Sequence, residues 1–183
     1  MLSEAHRQQL HELARYAIEY GLEHGHAPDI DIGGFDPELQ QKSATFVTLH
    51  RNEELRGCIG ILQPQRPLAE DVVHNAWAAA FSDSRFMPLR KHEFDDLDIH
   101  ISILSTPEAI TFDSEQNLIE QIRPGIDGLV LEDGYHRGTF LPSVWEQLPS
   151  RHEFLAHLKQ KAGLPPDYWS DTLKVQRYTV EEF

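Results

Sequence analysis

Cys58 is the only thiol in the chain, and it stands inside the hexapeptide Leu55-Arg56-Gly57-Cys58-Ile59-Gly60. A guanidinium close to a thiol favours the thiolate, the form that acts as nucleophile or metal ligand. In an extended segment side chains alternate between faces, so Arg56 and Cys58 point the same way and Arg56 is the candidate activator. Gly57 and Gly60 lack side-chain bulk, so another backbone or a ligand can come close there. The plainer alternative is a small buried hydrophobe, the ordinary role of a free cysteine. The hexapeptide also contains no base, and an activated nucleophile needs either a base or a strongly lowered pKa.

A second group of chemically capable residues follows in Phe81-Ser82-Asp83-Ser84-Arg85-Phe86-Met87-Pro88. Asp83 can accept hydrogen bonds from the backbone just after it and tie off a turn. Arg85 offers a rigid fork of donors suited to a carboxylate or a phosphate. Two duties are open to this pair: bracing the turn, with Phe86 anchoring it in the core, or bordering a cleft. Histidines are plentiful, 11 in all, but none takes the base's place by spacing. His74 either faces Cys58 or sits on a polar flank beside Asp71 and Asn75. His24 and His26 flank a helix end, where a histidine suits the dipole. His152 and His157 are five apart, a poor helical spacing for a shared ligand, so no metal site and no cofactor are expected. Glycine-rich phosphate loops, paired-cysteine zinc motifs and Gly-x-Ser-x-Gly are absent as well.

Leu55-Arg56-Gly57-Cys58-Ile59-Gly60, Asp83-Ser84-Arg85-Phe86-Met87-Pro88 and Gly138-Thr139-Phe140-Leu141-Pro142 together resemble the AMMECR-type domain family, whose prokaryotic members include AmmeMemoRadiSam system protein A. The resemblance runs over nearly the whole chain, so residues 1–183 are read as one AMMECR-type domain. It implies an α+β fold with a larger and a smaller part sharing one interior. It also implies that Asp83, Arg85 and Thr139 border the same substrate-binding cleft as Cys58, which would be nucleophile or redox centre. A Memo-like protein and a radical-SAM protein are the implied partners. One cysteine cannot supply the thiolates of a radical-SAM cluster, so this chain would be the companion of such a pair. The alternative is a non-catalytic protein- or peptide-binding module in which the hexapeptide is structural.

The elements that must position these residues are legible in outline. Ser3 caps an amphipathic helix from about Glu4 to His24, which Gly25 ends. Breakers fill residues 27–42. Strands follow over Thr45 to His50 and Arg56 to Leu62. If they form a tight hairpin with Leu55 opposite His50, Val47 lies across from Cys58 and Leu49 from Arg56. That surround would be apolar and would favour the neutral thiol. Pro67 opens a helix striped by Leu68, Val72, Ala76 and Ala80. Leu97 to Ser105 alternates, with Asp98, His100 and Ser102 on the polar face. Ser114 to Arg123 is a short helix, Asp133-Gly134 the turn of a hairpin, and Ser150 with Glu153 a capping box ahead of another helix. Thr172 to Thr179 is the last strand. Neighbouring strands joined by short turns point to antiparallel or mixed pairing, with helices packed against the sheet.

Composition narrows the function classes. At 183 residues with 40% apolar content the chain can bury a real core. Sixteen basic residues against 30 acidic ones give a net charge of −14, a field that repels nucleic-acid backbones and anionic membranes. One cysteine forms no internal disulfide, the first residues are polar, and no run approaches a membrane span. A cytoplasmic protein is expected. No feature of the sequence speaks to oligomeric state.

Overall fold

The computed structural model describes residues 1–183. Its chain divides into two compact units, one built from Met1–Leu104 with Glu181–Phe183 and the other from Ser105–Val180. The first unit opens with α1 (Glu4–His24), whose Ser3 hydroxyl accepts from the His6 N–H and whose cap Gly25 is left-handed at φ 80°. A short 3-10 turn and α2 (Pro37–Gln40) occupy the breaker-rich connection. Strands β1 (Lys42–Arg51) and β2 (Glu54–Gly60) come next. The two-residue β3 (Arg66–Pro67) and α3 (Leu68–Phe81) follow, then a 3-10 turn over Lys91–Asp96 and β4 (Leu97–Leu104).

The second unit contains β5 (Glu108–Ala109), α4 (Glu115–Gln121), β6 (Gly128–Asp133), β7 (His136–Phe140), α5 (Arg151–Lys161) and β8 (Lys174–Tyr178). The chain closes with β9 (Val180–Glu182). One sheet runs β2-β1-β4-β9 with β3 paired to the start of β1, and the other runs β5-β8-β6-β7. The fold is α+β, as the order of elements led one to expect. No helix is long and apolar enough to cross a membrane.

Buried apolar side chains gather in two clusters, one in each unit. In the first, Leu10, Ala14 and Ile18 of α1 meet Val72, Ala76 and Ala80 of α3 and Val47, Leu49 and Ile101 of the sheet. Alanines and Gly21 let the two helices come close. A Cβ on Gly21 would fall 2.5 Å from the Phe81 ring. In the second, Leu118, Ile122, Leu129, Leu131, Phe154 and Leu158 pack together, with the Trp145 and Phe154 rings stacked at 3.7 Å.

Two local readings of the sequence are corrected. The β6–β7 turn is Gly134-Tyr135, because Asp133 already pairs with His136 and Gly134 supplies the positive φ of 60°. Asp71 and Asn75 do not lie on a polar flank of α3 but are buried beneath it. Thr45 donates its N–H and its hydroxyl to Asp71 Oδ2 at 3.2 and 2.7 Å, and Asn75 donates to the same oxygen at 3.0 Å. Arg66 reaches in to Asp71 Oδ1 at 3.1 Å. A buried carboxylate is tolerable in an apolar interior because donors surround it.

Candidate functional site

The position of Cys58 is decided by one extra residue in β2. Asn52 and Glu53 both have positive φ, 53° and 65°, the backbone of a two-residue turn whose twist matches the strands it joins. His50 then pairs with Leu55, as expected, but the register shifts immediately beyond it, and Leu49 pairs with Gly57. Arg56 is the inserted residue. A bulge of this kind sends every later side chain of the strand to the opposite partner. Thr48, not Val47, therefore lies across from Cys58. Val47 and Leu49 face the core, while Cys58 joins Thr48 on the other, half-buried face of the sheet. The apolar surround read from the sequence is replaced by a hydroxyl, with Thr48 Oγ1 3.2 Å from Cys58 Sγ.

β2 is an edge strand, and its outward backbone groups at Cys58 are met by the second motif. The Cys58 N–H donates to Asp83 Oδ2 at 2.9 Å, and Arg85 Nη2 approaches the Cys58 carbonyl at 3.4 Å. Asp83 in turn accepts from Arg85 N, Nε and Nη2 at 3.1, 3.0 and 2.7 Å. Carboxylate and guanidinium thus stand in for a neighbouring strand and close an edge that would otherwise be open to pairing. The Arg85 hydrogen bonds hold the Asp83 carboxyl below the ordinary carboxylate range, against its burial and with help from the Cys58 N–H. Arg85 is more than half exposed, so the positive charge beside the Cys58 carbonyl also reaches the surface.

Arg56 has a different duty from the one its spacing suggested. Its Nε and Nη2 donate to Glu93 at 2.9 and 3.1 Å, and Nη2 also reaches the Met87 carbonyl at 2.9 Å. Glu93 further accepts from the Arg90 N–H at 2.8 Å. These arginine hydrogen bonds lower the Glu93 carboxyl to about 2. Phe86 does not anchor in the core. It is half-buried, with the Arg56 and Arg85 guanidinium carbons 5.9 and 5.5 Å from its ring centre.

The glycines of the hexapeptide serve packing. A Cβ on Gly57 would lie 2.1 Å from the Ala79 carbonyl of α3, and one on Gly60 would meet the Phe46 ring and the Thr45 carbonyl at 2.3 Å. Another backbone, rather than a ligand, takes the space that Gly57 leaves.

Hydrogen bonds and ring contacts therefore link Arg56, Cys58, Asp83 and Arg85 in one cluster of the first unit. Thr139 belongs to the second unit, where its hydroxyl donates to the Leu129 carbonyl at 2.8 Å and lies 3.2 Å from the Tyr178 hydroxyl. His74 lines a cavity of about 280 Å³ with Arg66, Glu70, Val73 and residues 27–30. Burial, and then the Arg66 charge, lower its pKa. Sequence reasoning missed Thr48 and Glu93. The first depended on the bulge. The second lies 37 residues from Arg56, and only its place in an acidic run marked it.

Comparison with known proteins agrees with this architecture. The chain is 42% identical to a protein of Thermococcus onnurineus over 182 residues, covering 93% of this chain and 86% of that one. It is 40% identical to protein MJ0810 of Methanocaldococcus jannaschii, covering 84% and 79%. The crystal structure of the uncharacterized protein PH0010 from Pyrococcus horikoshii superposes with a TM-score of 0.80 at 39% identity, over 94% of this chain and 88% of that one. The AMMECR1 family model matches residues 11–183, a span that holds the bulged hexapeptide, the Asp83–Arg85 clamp and both sheets, and the chain belongs to the AMMECR1 family.

Proposed function

We propose that this protein works through Cys58, as nucleophile or redox centre, within a system that also contains a Memo-like and a radical-SAM protein. The observation that carries the cysteine reading is the bulge at Arg56. It turns the thiol out of the apolar interior and onto a half-buried face, 3.2 Å from the Thr48 hydroxyl. Arg85 supplies the nearby positive charge that favours a thiolate, in the place the sequence assigned to Arg56. Asp83 fixes both the Cys58 backbone and the Arg85 fork, so the thiol and the guanidinium keep a constant relation. The partners rest on the family resemblance of the three motif stretches. The cysteine reading rests on residues of the first unit alone.

A second reading has its own observation. The carbonyl of Ala79 fills the space at Gly57, and Asp83 and Arg85 seal the edge of β2. A structural hairpin beside a protein- or peptide-binding surface needs no more than this. Alkylation of the folded protein with iodoacetamide across pH separates the two. Rapid modification at neutral pH, well below the ordinary thiol value of about 8.5, supports the working cysteine. Modification only after denaturant is added removes it and leaves the binding module.

A further inference from the structure

The sequence offered the thiol no base, and β4 brings a histidine to the same face of the sheet. Thr48 sits in β1 between two partners, Cys58 on β2 and His100 on β4. The outward hydrogen bonds of Cys58 make the Thr48–Cys58 pair the close kind, with Cα atoms about 4.5 Å apart. Side chains paired directly across antiparallel strands have Cβ atoms about 4.5–5.5 Å apart, so Thr48 and His100 are neighbours as well. His100 Nε2 is 3.0 Å from Asp98 Oδ2 on its own strand. When Nε2–H donates to that carboxylate, Nδ1 carries the lone pair. The His50 ring packs edge-on against His100 with centres 5.2 Å apart, which restrains it from the side of β1.

We infer that His100 is the base for Cys58, reached through the Thr48 hydroxyl and oriented by Asp98. This rests on the cysteine reading given above. At rest the Thr48 hydroxyl donates to Cys58 Sγ; in the proton transfer it turns to His100, the Cys58 Sγ–H bond breaks and its proton passes to Thr48 Oγ1. The proton that Thr48 held passes to His100 Nδ1. The products are a thiolate and an imidazolium, and Thr48 ends unchanged. Thr48 then donates its hydroxyl hydrogen to the thiolate, and Asp98 balances the imidazolium. Other titratable groups stand around His100. They are His50 from β1, His11 from α1, whose pKa burial and then the His100 charge lower, and exposed Glu182 with Arg7-bound Glu181 from β9. Among these, His100 alone is paired with Thr48 and held by a carboxylate, which is why the role falls to it rather than to His50.

The test follows iodoacetamide alkylation of Cys58 in the intact chain from pH 5 to 10, with circular dichroism as the check on folding. His100→Gln is expected to move the profile to higher pH and slow the reaction at pH 7 about tenfold, the effect of a one-unit change in thiol titration. Thr48→Val should do the same, Thr48→Ser should restore the wild-type profile, and His152→Gln, at an exposed position of the second unit, should leave it unmoved. A wild-type thiol reactive at pH 7 whose profile is untouched by His100→Gln and Thr48→Val overturns the base and keeps the working cysteine. A wild-type thiol inert until denatured overturns both. If His100→Gln fails to fold, Asp98→Asn provides the shift instead, through the exposed partner that orients the ring.

Discussion

Each unit contains an aspartate clamped by an arginine, and the two clamps do different work. In the second unit Arg123 wraps Asp127 four residues on, giving its N–H to Oδ2 at 2.9 Å and its Nε and Nη2 to Oδ1 at 3.0 and 2.6 Å. The Asp127 carbonyl accepts from Trp145 Nε1 at 2.7 Å. All the bonds of that carboxylate stay within its own turn. Asp83 in the first unit is also buried and also held by an arginine fork, but one oxygen crosses to the Cys58 N–H, 25 residues earlier in the chain. One clamp closes a loop. The other makes the position of a thiol depend on a distant turn, and that reach is what separates a site from scaffolding.

The comparison breaks most plainly if both carboxylates are removed in turn. Asp83→Ala and Asp127→Ala each leave an N–H and a guanidinium without their acceptor, at a cost of about 2–3 kcal/mol of stability. Urea unfolding should report similar losses for the two. Only Asp83→Ala should change the alkylation rate of Cys58 under native conditions. Equal changes in both variants would mean that the thiol responds to general loosening and that the reach of Asp83 has no special meaning.

A smaller effect should appear on acidification. Glu93 is held at about 2 by its hydrogen bonds to Arg56, against an ordinary value of 4.5, and Asp83 is lowered by Arg85. A depressed carboxyl contributes stability in full above its unfolded value, and that contribution is lost as pH falls through its folded value. The first unit should therefore weaken progressively from about pH 4.5 toward 2. Asp133 in the second unit is lowered too, but by the hydroxyls of Thr172 and then Tyr168. Protonating Asp133 itself dissolves no ion pair. Amide exchange followed by NMR at pH 3 should show protection lost around Cys58 and Leu89 before it is lost in β6. Simultaneous loss would erase the distinction between arginine-held and hydroxyl-held carboxylates.

Much of the scaffold that carries these clamps was legible before any coordinates. Ser3, Gly25 and the apolar stripe between them define α1 to the residue, because caps and periodicity are local signals. The Asp98, His100 and Ser102 face of β4 was equally plain from alternation. The site itself was less so. Arg56 and Cys58 share a face in a regular strand, but a bulge is a property of the pair of strands, and β2 alone does not announce it. Asp71 and Asn75 read as surface because they are polar. Their burial depends on Thr45 and Arg66, which arrive from two other elements. Long-range partners decide both outcomes, and they leave little trace in the local sequence.

The finest distinction between the clamps lies in the arginines. Arg85 and Arg123 are each about half exposed, 56% and 48%, so water can take over much of what a substitution removes. Lysine keeps the charge but offers one compact ammonium where the fork offered several fixed donors. Arg85→Lys and Arg123→Lys should each cost about 1 kcal/mol or less, as half-exposed ion pairs do. The informative difference is in the thiol. Arg85 Nη2 bonds Asp83 and lies 3.4 Å from the Cys58 carbonyl, so Arg85→Lys should slow native alkylation of Cys58 by a few-fold while Arg123→Lys leaves it unchanged. Arg56→Lys is the decisive companion, because the sequence made Arg56 the activator and the fold commits its fork to Glu93 and Met87. If Arg56→Lys slows alkylation more than Arg85→Lys does, the charge that matters to Cys58 is the one its spacing first suggested, and the reach of the Asp83 clamp is structural alone.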